Sequence, residues 1–141
     1  MAIAGCGTAC RCCRSNTASV ASAPERVEID GRKYTLTANA WRDFQPIAPP
    51  DGQPLVVVAR VVRPLLQAEP NLDAASIDRI WVLSGKKQWS AKPENPSMFE
   101  AAVRGGPKWG PGIKVDVVAR LKQGKQTWLV RAAGVEIKRT D

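Results

Sequence analysis

Between Ile113 and Leu121 every second residue is apolar. Ile113, Val115, Val117, Ala119 and Leu121 would share one side, and Lys114, Asp116, Arg120 and Lys122 the other, together with Val118. Successive side chains point to opposite sides only in an extended chain, so this period of two describes a strand with one dry face and one wet face. The pattern recurs on both sides of turn signals from Pro24 onward. Arg26–Ile29 and residues 33–37 flank Asp30-Gly31. That pair suits a two-residue hairpin turn, where both central residues take positive φ. Residues 79–83 and 87–90 flank Ser84-Gly85-Lys86, and Gln123-Gly124-Lys125 leads into an alternating run over 126–132. A last run, 135–138, follows a break at Gly134. Leu55–Val62 is almost continuously apolar and rich in β-branched residues, the pattern of a central strand covered on both faces, with Pro54 and Pro64 bracketing it.

Short strands separated by turn signals about every 8–12 residues predict an all-β domain. The expected form is an antiparallel immunoglobulin-like β-sandwich over residues 24–141, with one short helix in a connecting loop. Ser97-x-x-Glu100 reads as a capping box for that helix. Met98, Phe99, Ala102 and Val103 supply its apolar stripe, and Gly105-Gly106 its stop. The longest apolar stretch is strand-length and carries Arg60, too short for a membrane-spanning helix.

All four cysteines, Cys6, Cys10, Cys12 and Cys13, fall in residues 1–23, a stretch of small and polar residues with no amphipathic period. The domain after it therefore uses no disulfide and no thiolate metal site. Three readings of the leading segment are open. Cys-x3-Cys-x-Cys-Cys is dense enough to capture a soft metal, but it lacks the paired Cys-x2-Cys spacing of tetrahedral zinc, and no metal or cofactor is expected. The segment also fits a disordered Cys-rich tail with no role. Thirdly, Ile3-Ala4-Gly5-Cys6 resembles the lipobox of small bacterial envelope lipoproteins, and the Ser/Ala/Thr-rich stretch 15–23 resembles their tether. That resemblance implies acylation of Cys6, membrane anchoring, and a place on the periplasmic side of the cell envelope. It also implies a charged and apolar signal stretch ahead of the box, beginning upstream of Met1. Without the anchor, the composition suits the cytoplasm equally well.

The chain has no histidine and carries a formal charge of +8 at pH 7. Losing histidine closes Ser-His-Asp, Cys-His and zinc-water chemistry. Carboxylate-dependent glycan hydrolysis needs only two acids, and Asp43, Asp51, Asp73, Asp78, Glu94 and Glu100 are available for it, but no spacing ties two of them together. The basic excess would suit an anionic partner such as nucleic acid. Trp89 beside Lys86 and Lys87 offers a stacking platform, yet one ring is too few, and nucleic acid is not favoured. Two loops stand out. One carries Trp41, Arg42 and Phe44 ahead of a Pro-rich bend, and the other sets Trp109 among glycines and prolines. Trp and Arg dominate binding hot spots. Either Trp41, Arg42, Phe44 and Trp109 line a shallow site at one end of the domain, for a peptide, a glycan, a partner subunit or another envelope protein, or Trp41 and Phe44 plug the open end of the core and Trp109 packs under the following strand. The expected function is a non-catalytic envelope accessory or binding module.

Overall fold

The computed structural model describes residues 20–29, 31–62, 75–93 and 100–141. The four cysteines and Ser97, Met98 and Phe99 lie outside these residues. Eight strands follow one another: β1 (Arg26–Ile29), β2 (Arg32–Asp43), β3 (Leu55–Val62), β4 (Ala75–Ser84), β5 (Lys87–Ala91), β6 (Glu100–Gly106), β7 (Lys114–Gln123) and β8 (Gln126–Thr140). The described chain is all-β, as the alternation predicts. The hairpins also fall at their turn signals. Ile29 pairs with Arg32 across a two-residue turn in which Gly31 has φ +80°, and Ser84 pairs with Lys87, and Gln123 with Gln126.

The strands do not form two separate antiparallel sheets. They make one path in the order β5-β4-β7-β8-β2-β3-β6, with β1 added to β2. The path is mixed, because β2 and β8 run parallel, with Ala40 opposite Ile137 and Asp43 opposite Thr140. The sheet curls until its end strands β5 and β6 meet, so it is almost a closed barrel rather than an immunoglobulin-like sandwich. Trp89 sits in this seam. A methyl group on Gly106 would lie 2.9 Å from its ring. Only a residue without a side chain lets β6 approach that indole.

Two local expectations are corrected. Residues 100–106 are strand, not the body of a helix. Ala101 and Val103 face inward opposite Ala59 and Val57, and Ala102 lies on the outer face opposite Val58. The segment satisfies a period of two as well as a helical stripe, and long-range pairing with β3 decides between them. Leu55–Val62 is buried on one face only. Leu55, Val57, Ala59 and Val61 are interior, whereas Val56, Val58 and Val62 are half-buried and Arg60 is exposed. Val and Ile are favoured on any pleated surface, so β-branching reports extended backbone rather than two-sided burial.

The interior is filled by inward residues from every strand except β5, including Ile29, Tyr34, Ile77, Ile80, Leu121 and Ile137; Trp89 and Ala91 of β5 pack against it half-buried. A second cluster lies outside the barrel. Val20 and Ala23 cover Val118 with Trp81, Leu83 and Leu129 packed around them. Arg131 fixes this segment by donating from Nε to the Ala23 carbonyl at 2.8 Å, while its backbone N–H donates to the Pro24 carbonyl at 2.8 Å. The packed structure therefore includes residues on the N-terminal side of Pro24.

Tyr34 is completely buried, and among the described residues its hydroxyl has no hydrogen-bond partner. A buried hydroxyl left unpaired costs about 1–3 kcal/mol of desolvation. Tyr34→Phe is expected to leave stability unchanged or raise it by about 1 kcal/mol, read as a higher urea midpoint at unchanged m-value. A loss of more than that would show that the hydroxyl has a partner.

Candidate binding end of the barrel

Strand alternation carries Ala40 and Arg42 to the inner face of β2 and Trp41 to the outer face. The apolar interior thus ends, at the mouth of the barrel, in a guanidinium. Arg42 is 3% exposed and is the buried charged side chain among the described residues. Among the described residues no carboxylate touches its N–H groups. It donates from Nε to the Gln53 carbonyl at 2.9 Å and from Nη1 to the carbonyls of Lys108 and Gly110 at 3.2 and 2.7 Å. Nη2 donates to the Asp51 carbonyl. Four of the five guanidinium N–H groups are therefore committed to backbone acceptors. Two of those acceptors lie in the loop after β2, and two lie in the loop after β6. One side chain holds both loops.

Phe44 continues the arrangement. Its ring lies between the guanidinium groups of Arg42, at 5.1 Å, and Arg139, at 4.2 Å, distances at which a cation is attracted to an aromatic face. Gly52 packs closely against the same ring. A Cβ there would come within 2.5 Å of it, and φ is +85°. Both facts require glycine. The backbone completes the clamp, with Phe44 N–H donating to the Thr140 carbonyl at 2.7 Å and Gln53 N–H to the Asp43 carbonyl at 2.8 Å. Gly112 N–H donates to Ile137 at 2.9 Å and ties the second loop to β8.

The four residues singled out in the sequence separate into different roles. Arg42 lies beneath the loops and is spent on holding them. Phe44 touches Arg42 directly. Trp109 joins them through its neighbours, since the carbonyls of Lys108 and Gly110 on either side of it accept from Arg42, and its half-buried ring packs against the core. Trp41 is not brought to this cluster. It stands on the outer face of β2, opposite Val56 and Lys138. Trp89, the stacking candidate, is half-buried in the β5–β6 seam.

One residue escaped the sequence reading. Ile47, at the tip of the first loop, is 92% exposed. Pro46, Pro49 and Pro50 surround it, and Ala48 N–H closes a turn by donating to the Gln45 carbonyl at 2.7 Å. The available signal was a single large aliphatic residue within a Pro-rich polar stretch.

The acids at this end hold loops in place. Asp43 accepts from the Gln45 N–H at 3.1 Å and from Thr140 Oγ1 at 3.2 Å. Asp51 pairs with Lys108 at 2.9 Å across the two loops. That hydrogen bond, aided by the charges of Lys108 and Arg42 and opposed by desolvation, holds the Asp51 carboxyl below its ordinary value of 3.8. A lowered carboxyl contributes its cross-loop support fully above the ordinary value and loses it as pH falls through the lowered one.

Two outcomes follow from this geometry. Arg42→Met keeps an apolar stem but strands four carbonyls, and is expected to cost about 3 kcal/mol. Amide exchange should rise first in residues 44–53 and 107–112; a neutral outcome would show that the loops hold themselves. Loop amide exchange of the wild-type protein is expected to rise as pH falls below 3.8, a rise that Asp51→Asn should abolish. No family model, no characterised protein and no solved structure matches this chain, which leaves its own residues as the ground for a functional reading.

Proposed function

We propose that the protein is a non-catalytic binding module of the bacterial cell envelope, anchored through acylated Cys6 and presenting the loop end of its barrel to an envelope protein or glycan. The observation that carries the binding reading is Ile47. Ile47 is exposed to 92% at the tip of a loop whose Asp51 and Gln53 carbonyls are held from below by Arg42. Scattered exposed apolar residues are ordinary, but a rigid presentation lowers the ordering cost of a contact. Phe44 and Trp109 supply half-buried aromatic rings at the same end, Arg42 acts as the positioning residue, and Trp41 lies outside this surface on the outer face of β2.

The acids support binding over hydrolysis. Two-carboxylate glycan cleavage needs one acid kept protonated near neutral pH. Asp51 moves the other way. Asp78 is engaged by Arg120 at 2.8 Å and Asp116 by Arg131 at 3.3 Å, and Glu100 pairs with Arg60 at 2.9 Å. These pairs join neighbouring strands. The anchor rests on the lipobox resemblance at Ile3-Ala4-Gly5-Cys6. Fully extended, the chain from Cys6 to Val20 reaches at most about 50 Å, so a tethered barrel would work close to the membrane.

The test has two arms, both on the full gene with its upstream DNA. Cys6→Ala should move the protein from the membrane to the soluble fraction and abolish palmitate labelling; a soluble wild-type protein with an intact Met1 would refute the anchor. A photo-crosslinker at position 47 should give a discrete adduct in envelope preparations that Phe44→Ala weakens. Absence of any adduct at 47 and 109 would refute the loop end as the binding surface.

A further inference from the structure

The sheet has a window in its wall. On one edge of β2, β1 pairs with residues up to Thr35, and β8 takes over only from Ala40. Among the described residues, nothing pairs with residues 36–39 on that side. The opposite wall is β8, where residues 133–136 precede the parallel pairing that begins at Ile137. The two strands diverge from there. At the wide end the gap is one strand across and is filled by the start of β1, since Arg26 lies opposite Thr35 while the Pro24 carbonyl accepts from Arg131 N–H at 2.8 Å. The chain then leaves the sheet plane at Pro24 instead of continuing along β2. What remains is an open groove of about 500 Å³.

The lining fits backbone rather than bulk. Ala38, Ala132, Ala133 and Gly134 are the small members of a lining that also includes Leu36 and Val135. Gly134 N–H is taken by Asp116 Oδ1 at 3.1 Å, which holds the β8 wall in its bulged course. In a strand roughly every second residue turns its N–H and C=O to a given neighbour, so the β2 edge offers about two sets of donors and acceptors. The charged residues at the rim differ by end. Arg26 stands at the wide end beside Glu25, whose carboxylate is taken by Arg131 at 3.7 Å, while Glu136 and Lys138 stand at the narrow end, where no ion pair engages them among the described residues.

We infer that this window binds the C-terminal end of a short extended peptide, seated as a partial strand along residues 36–39 with its carboxylate at Arg26. Direction follows from the walls. A segment continuing the line of β1 runs antiparallel to β2, and β8 is parallel to β2, so it is antiparallel to both. Its chain ends where β1 begins, which places a free carboxylate beside Arg26. Adding a strand to an exposed edge is an established route of peptide recognition. The small floor selects small side chains at the last two positions. This inference rests on the binding reading but on neither the anchor nor the loop end, whose fractionation and crosslinking tests would be unaffected if the window proved empty.

The test is an NMR titration of the ¹⁵N-labelled full chain with acetyl-Val-Thr-Ala carrying a free carboxylate. Saturable shifts confined to the amides of residues 36–39 and 133–136, with Kd near or below about 1 mM, are expected. The C-terminal amide of the same peptide, and separately Arg26→Gln, should each weaken binding about tenfold. Arg26 is exposed, and an unchanged thermal midpoint would confirm that the variant folds. No shifts at several millimolar, shifts mapping to the loop end, equal binding of the amidated peptide, or the same shifts from acetate alone would each overturn the proposal.

Discussion

A buried guanidinium must find acceptors or stay out of the protein. Among the described residues, Arg42 meets that demand with backbone carbonyls, and the consequence reaches beyond the residue itself. Because the acceptors are carbonyls of Asp51, Gln53, Lys108 and Gly110, desolvating the charge forces two loops that are far apart in sequence into one geometry. A carboxylate partner would have satisfied the charge with one side chain and left the loops independent. Phe44 then covers the guanidinium, Gly52 covers Phe44, and the Asp51–Lys108 pair closes the outside. The end of the barrel is thus ordered from its buried centre outward.

Elsewhere the barrel depends on size rather than charge. Gly106 admits Trp89 between the end strands, so a sheet with two free edges becomes almost continuous. This also lessens the exposed edge that an open sheet would present to other chains. On the outside, Val20 and Ala23 cover an apolar patch of β4, β7 and β8 that includes Trp81, whose ring also receives Arg120 at 5.6 Å. Arg120 is held in turn by both oxygens of Asp78, at 2.8 and 3.1 Å. Its aliphatic stem and its charge serve different neighbours, as long basic side chains on strands often do.

The strands and hairpins were legible in the sequence because they are local. Alternation across residues 113–121 and the turn pairs at Asp30-Gly31 and Gly85-Lys86 involve neighbours within a few residues. What escaped the reading was set by distant partners. The parallel pairing of β2 with β8 joins residues nearly a hundred positions apart and leaves no local trace. The choice of strand over helix at 100–106 was settled by β3, not by the Ser97-to-Glu100 pattern. Trp41 and Arg42 looked like one binding pair because they are adjacent, yet adjacency in a strand puts them on opposite faces. Applying the period of two to β2 as strictly as to β7 would have separated them. Arg42 itself could not be assigned a structural role from sequence, since its acceptors are carbonyls, which every residue has.

One topological fact connects the loop end with the window. After leaving β7, β8 must cross to run parallel with β2, and it does so by a bulge at Gly134 that Asp116 supports from β7. Before that crossing β8 is too far from β2 to pair, so residues 36–39 are left open. After it, β8 reaches the mouth of the barrel, where Thr140 accepts from Phe44 and Arg139 covers its ring. A straighter β8 would have paired earlier and closed the window, but it would have carried its C-terminal residues away from the loops. The same bend that leaves the wall incomplete at one point therefore builds the rigid end at another, and a change at Gly134 or Asp116 should act on both.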